Sequence, residues 1–137
     1  MLSLEDAVRM HGHRGPWLVL GYRAGLRALE LLRPEDEHEL SCTIRCPVRT
    51  PYTCSVDGIQ ASTGCTTGKM SLRMEEHDDI EFLFLSRRKN LKLRLKLREG
   101  VRELIEEMSS REGLGSASAY VEGAELGELF EEAVMTL

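Results

Sequence analysis

Apolar positions recur with two periods along this chain, and the switches between them divide it into elements. Leu40, Cys42, Ile44 and Cys46 alternate with Ser41, Thr43 and Arg45, the period of two that a half-buried strand requires. Leu91, Leu93, Leu95 and Leu97 alternate in the same way with Lys92, Arg94 and Lys96. Residues 80–85 form a nearly continuous apolar strand, and the polar connection 86–90 predicts an antiparallel hairpin between the two. Elsewhere the period is helical. Val101, Leu104, Ile105 and Met108 repeat at i, i+3, i+4 and i+7, as do Leu126, Leu129, Phe130 and Ala133, so two amphipathic helices are expected there, joined by a small-residue loop over 113–119.

Punctuation residues supply the rest. Ser3 with Asp6 has the form of a capping box and opens a short helix through Met10. Pro16 suits the first position of a second helix, running to Leu32 and ended by Pro34 and the acidic Glu35-Asp36-Glu37. Gly21 and Gly25, four apart and joined by Ala24 and Ala28, offer close packing against a sheet or a partner helix; Arg23, Arg27 and Glu30 forbid a membrane setting. Thr50-Pro51 breaks the chain, and a short helix follows from Ser55 to Ser62, capped by Gly64. This order predicts an α+β fold, a small, largely antiparallel sheet packed with helices, in a single domain over residues 1–137.

Composition agrees with one domain. The chain is 42% apolar and 30% charged, with a net charge of −5 and only 5% aromatics, so its core rests on aliphatic side chains. No apolar run approaches the roughly 20 residues of a membrane span, and the N-terminus has no signal-peptide pattern, so a soluble cytoplasmic protein is expected. The charge is unevenly spread. Seven basic and no acidic residues lie in 87–98, whereas 99–137 holds ten acidic and two basic ones. A solvated sheet face explains the basic strand most simply, with an anion site as the alternative. Nucleic acid is disfavoured, because the chain is acidic overall and no aromatics neighbour the strand.

Candidate chemistry gathers in two segments. His11 and His13 flank Gly12 ahead of the Pro16 helix, and an extended backbone would aim both imidazoles at one metal or anion. All four cysteines, Cys42, Cys46, Cys54 and Cys65, fall between positions 42 and 65 without a C-x-x-C pair. Cys42 lies on an apolar stripe and reads as core. Cys54 opens the short helix, where the dipole and free N–H groups would favour a thiolate. Cys65 sits in Thr63-Gly64-Cys65-Thr66-Thr67-Gly68-Lys69, which is no P-loop: the glycines bracket three residues rather than four, and Met70 stands where Ser or Thr should be. Together the two histidines with Cys54 and Cys65 could form a soft nitrogen–sulfur metal site, with Lys69 a fixed positive charge nearby.

These segments resemble a known family. His11-Gly12-His13, Pro16 and Leu20-Gly21-Tyr22-Arg23 resemble the first signature of the E-subunit family of formylmethanofuran dehydrogenase. Cys54-Ser55-Val56-Asp57-Gly58-Ile59-Gln60, with the run from Thr63 to Lys69, is similar to its second, longer signature. The resemblance implies an α+β core domain, often dimeric, associated with molybdenum or tungsten one-carbon metabolism of the methanogenesis type and with formylmethanofuran dehydrogenase subunits as partners. Gly15 replaces the family's first-signature cysteine, Trp17 replaces the following glycine, and no residues match the zinc finger that many relatives carry at the C-terminus.

Three functions follow as expectations. The first is an accessory or metal-binding protein, holding a divalent metal such as zinc through His11, His13, Cys54 and Cys65, with Lys69 facing a cofactor. The second is a thiol-dependent enzyme using Cys54 or Cys65, although no base–nucleophile–orienter set is evident. The third is a dimeric module whose Lys92, Arg94 and Lys96 bind an anionic, methanofuran-like cofactor. Whether the protein is an enzyme is left open between them.

Overall fold

The computed structural model describes residues 1–137. In chain order the elements are α1 (Leu4–His11), α2 (Pro16–Leu32), β1 (Leu40–Cys46), α3 (Cys54–Thr63), β2 (Leu72–Glu76), β3 (Glu81–Ser86), β4 (Leu91–Leu97), α4 (Val101–Glu112), α5 (Leu114–Gly123), α6 (Leu126–Leu129) and β5 (Phe130–Thr136). The strands make one sheet in the order β2-β1-β3-β4-β5, antiparallel except for the parallel pair β1–β2. The fold is therefore the α+β architecture expected, with the predicted hairpin at β3–β4 in the register Phe82↔Leu95 and Phe84↔Leu93.

The alternating strands decide which face is buried. Cys42, Ile44, Phe82, Phe84, Leu93 and Leu95 point inward and join residues of α2, α3, α4 and α5 in one cluster of 26 buried residues. Cys42 and Cys46 are core positions, as their stripe implied for the first of them. The opposite sheet face carries a cross-strand row of alternating charge, Glu75, Arg45, Glu81, Lys96 and Glu131. Arg45 and Arg94 both reach the Glu81 carboxylate, Arg94 Nη2 at 2.7 Å. Within the basic stretch Arg94 pairs with Glu81 of β3 and Arg98 with Glu131 of β5, while Arg88 and Lys89 pair with carboxylates of the α2–β1 connection.

The chain departs from the expected pattern at three places. The residues of the predicted final helix form only one helical turn, α6, and then extend as β5 along the open edge of β4, with Leu97 opposite Phe130. Phe130 fits both periods; it is buried here by packing on Phe82, ring centroids 5.8 Å apart. The small-residue segment 113–119 is mostly helix, α5, whose Ala117 and Ser118 are buried and whose end is tied to α2 by Arg23 Nη1 donating to the Val121 and Ala124 carbonyls. Residues 72–76, with one buried side chain in five, form the edge strand β2.

Close packing of α2 on α3 positions the candidate site. A Cβ on Gly21 would collide with the Ser55 carbonyl, one on Gly25 with the Ser62 hydroxyl, and one on Gly58 with the Leu18 carbonyl. Gly21 and Gly58 therefore let the two helix backbones touch, Gly25 makes room for the Ser62 and Thr63 side chains, and the partner anticipated for Gly21 and Gly25 is α3. This fixes the N-terminal half of α3 against the turn between α1 and α2.

Candidate functional site

The α1–α2 turn begins where α1 stops. Ser3 caps α1 by accepting the Asp6 N–H at 3.1 Å, and Gly12 ends it in the left-handed region at φ 109°. His11 is consequently the last helical residue, and the extended backbone expected through His11-Gly12-His13 is absent. The imidazoles nevertheless meet, with centroids 4.7 Å apart and planes tilted by 42°. His11 Nδ1 lies 2.6 Å from Asp57 Oδ2 on the first turns of α3. The His11 side chain is only 10% exposed, and its Nε2 is buried with no hydrogen-bond partner. His13 is exposed, its Nε2 3.3 Å from where a Cβ on Gly15 would stand, so its ring lies against the space that a cysteine at position 15 would need.

Beside this turn opens a cleft of about 490 Å³ between the N-terminal ends of α2 and α3 and the helices α4 and α5. His13, Trp17, Tyr52, Cys54, Glu106 and Leu114 contribute to its walls. Trp17 meets Tyr52 edge to face at 5.1 Å, and the Arg102 guanidinium lies over the Tyr52 ring, 4.5 Å from its centroid. The Tyr52 hydroxyl donates to Glu106 Oε1 at 2.7 Å and accepts from Arg102 Nη2 at 3.0 Å, while Arg102 Nε donates to the same Glu106 oxygen at 2.9 Å. Bonds from Tyr52 and Arg102 hold the Glu106 carboxyl below its ordinary range. Sequence reasoning missed this triad. Arg102 and Glu106 form a visible i,i+4 pair, but nothing local ties them to Tyr52.

The thiols behave differently from expectation. Cys54 does open α3, but its N–H and those of Ser55 and Val56 donate to the Pro51, Tyr52 and Thr53 carbonyls of the preceding turn. The free donors that would favour a thiolate are therefore consumed, and burial, with the Asp57 carboxylate, pushes the Cys54 thiol up. Burial likewise raises Cys65, against smaller opposing effects of Thr63 and Lys69, and it raises Cys46 to about 11.

The predicted four-residue set is not brought together. Cys54 is the first residue of α3, whereas Cys65 follows its last turn, about 15 Å away at the 1.5 Å rise of an α-helix. Cys65 is buried there, its Sγ 3.5 Å from the Leu40 carbonyl oxygen, and Lys69 is exposed at the same remote end. His11, His13 and Cys54 share the near end, with Asp57 one turn from Cys54. No three His, Cys, Asp or Glu side chains already converge as a ligand set.

Comparison with known proteins assigns the family. Residues 10–137 match the family described as FmdE, molybdenum formylmethanofuran dehydrogenase operon. The chain belongs to the FmdE family. A crystal structure of a tungsten formylmethanofuran dehydrogenase FmdE-like protein from Syntrophus aciditrophicus shares the fold, with a TM-score of 0.63 over 98% of this chain and 70% of that one, at 16% identity. A probable S-adenosyl-L-methionine-binding protein of Archaeoglobus fulgidus is 33% identical over 75 residues, 50% of this chain but 19% of that protein. No helix of this FmdE-family chain is long and apolar enough to cross a membrane.

Proposed function

We propose that this FmdE-family chain is an accessory metal-binding protein of molybdenum- or tungsten-dependent one-carbon metabolism, holding a divalent cation such as zinc through His11, His13 and Cys54. The observation that supports this most is the orphaned Nε2 of His11, a buried nitrogen with no protein partner, beside a second imidazole that lines the same cleft as Cys54. Imidazole and thiolate donors suit zinc and other soft or borderline ions. Binding would also draw the Cys54 proton away, since a coordinated thiol is deprotonated. Closing the set requires His13, exposed on its glycine-flanked turn, to swing toward His11. A bound divalent ion would supply Lewis acidity at the mouth of the cleft. Trp17 and Leu114 would keep a substrate's apolar part there, and the Tyr52–Glu106–Arg102 triad would orient its polar part.

The metal content of the purified protein tests this. We expect a near-stoichiometric divalent ion in the native chain and its loss in the His13→Ala, Cys54→Ser double variant; equal content in both contradicts the reading. The same reading makes the protein a cytoplasmic homodimer that works with formylmethanofuran dehydrogenase subunits, and sedimentation equilibrium is expected to return twice the chain mass.

The other two functions receive less support. Raised thiols argue against Cys54 or Cys65 as a ready nucleophile. On the basic strand Arg94 is paired with Glu81 and Lys96 stands between Glu81 and Glu131, which leaves Lys92 for an anion. S-adenosylmethionine, named for the Archaeoglobus relative, is a ligand to titrate against the aromatic cleft.

A further inference from the structure

We infer that Asp57 is a positioning residue that holds His11 in the tautomer with its proton on Nδ1, so that Nε2 presents a bare lone pair to the incoming cation. This deepens the metal-binding reading and rests on it. Three protonation states are available to the ring, and the heavy-atom geometry separates them. A doubly protonated imidazolium would leave an Nε2–H donor buried with no acceptor. A proton on Nε2 alone would do the same, and would also set the Nδ1 lone pair against a carboxylate oxygen 2.6 Å away. With the proton on Nδ1, that nitrogen donates to Asp57 Oδ2, and Nε2 becomes an acceptor awaiting an electrophile. Free histidine carries its proton mainly on the other nitrogen, so the carboxylate is needed to reverse the preference.

The elements make the pairing possible. Gly12 ends α1 one residue after His11, and Gly21 and Gly58 bring α2 and α3 close enough for Asp57 to reach the ring. Asp57 itself remains 39% exposed, so replacing it removes the hydrogen bond without opening the core. His13, its ring centroid 4.7 Å from that of His11, is the second donor at this end, and Cys54 lies one turn before Asp57; movement of the exposed His13 would be needed to gather them around one ion. A carboxylate behind a ligating histidine fixes the ring and raises its basicity, and its loss typically weakens metal binding by about 10–100-fold.

Nitrogen-15 NMR of the imidazoles, at a pH where they are neutral, reads the tautomer without metal, and zinc titration of the same samples reads affinity. The native chain is expected to show His11 protonated on Nδ1; Asp57→Ala should move the proton to Nε2 and weaken zinc binding about 10–100-fold, with the amide spectrum still that of the native fold. An Nε2-protonated His11 in the native chain, or a tautomer indifferent to Asp57→Ala, overturns the inference. So does a switched tautomer with unchanged zinc affinity, which leaves metal binding itself standing. A native chain that binds no zinc overturns the metal-binding reading and this inference together.

Discussion

At the residue scale, small side chains and single charged groups decide more than the apolar stripes do. Gly58→Ala would drive a methyl into the Leu18 carbonyl, and we expect a loss of about 3 kcal/mol or more in urea unfolding, or no fold at all. Gly115→Ala, on the exposed start of α5 with nothing near its missing Cβ, should instead stabilise by about 0.5–1 kcal/mol. The thiols allow a second test. With Cys54 raised by burial and Asp57, alkylation at neutral pH should be slower than that of a free cysteine and should rise only at higher pH, and buried Cys42 and Cys65 should react on unfolding alone. A fast reaction of Cys54 near pH 7 would restore the nucleophile reading. Cys42 was legible as core from alternation. The Cys54 environment was not, because the turn that absorbs its helix-start donors comes from Pro51, Tyr52 and Thr53, whose backbone geometry no residue pattern reports.

At the element scale, strands and helices with a single strong period were legible, and those whose residues fit two periods were not. β1, β3 and β4 each show their burial in alternation or in a continuous apolar run, so their edges and the hairpin followed. Leu126, Leu129, Phe130 and Ala133 satisfy a helical stripe by chance of spacing; the open edge of β4 offers backbone hydrogen bonds that a helix there would forgo. Phe130→Ala is expected to cost about 3–5 kcal/mol, since the ring is buried against Phe82. Ala133→Lys distinguishes the two geometries. As a helix-face residue it would be core, but on β5 it is exposed, and we expect less than about 0.5 kcal/mol. α5 was not legible because its packing face is made of Ala117, Ser118 and Val121 among other small residues, which give no contrast between faces.

For the whole molecule, the uneven charge resolves into pairing between elements that lie far apart in the chain. Glu39, whose side chain has no exposed surface, joins the α2–β1 connection to the β3–β4 turn. It accepts the Glu35 N–H at 3.1 Å and the Ser86 hydroxyl at 2.7 Å, with Lys89 Nζ 3.3 Å away. Those bonds hold its carboxyl down at about 2. A depressed folded-state value means that the contribution is complete above the ordinary value of 4.5 and disappears as pH falls toward 2. Thermal melts should therefore show Glu39→Gln several degrees below the native chain at pH 7, with the gap closing on acidification; a gap independent of pH would contradict this. Glu81, Glu106 and Glu132 are lowered as well, so acid should destabilise the native fold in the same window.

The family motifs announced a site, yet only the packing of α2 on α3 shows which residues share one end of it. The His11–Asp57 contact spans 46 positions and Tyr52–Glu106 spans 54, whereas Cys54 and Cys65 are close in sequence but separated by the length of a helix. Cobalt(II) titration followed by absorption tests this central division most directly. We predict a thiolate-to-cobalt charge-transfer band in the native chain that persists in Cys65→Ser and vanishes in Cys54→Ser. A native chain without that band, or a band abolished by Cys65→Ser and spared by Cys54→Ser, would contradict the account.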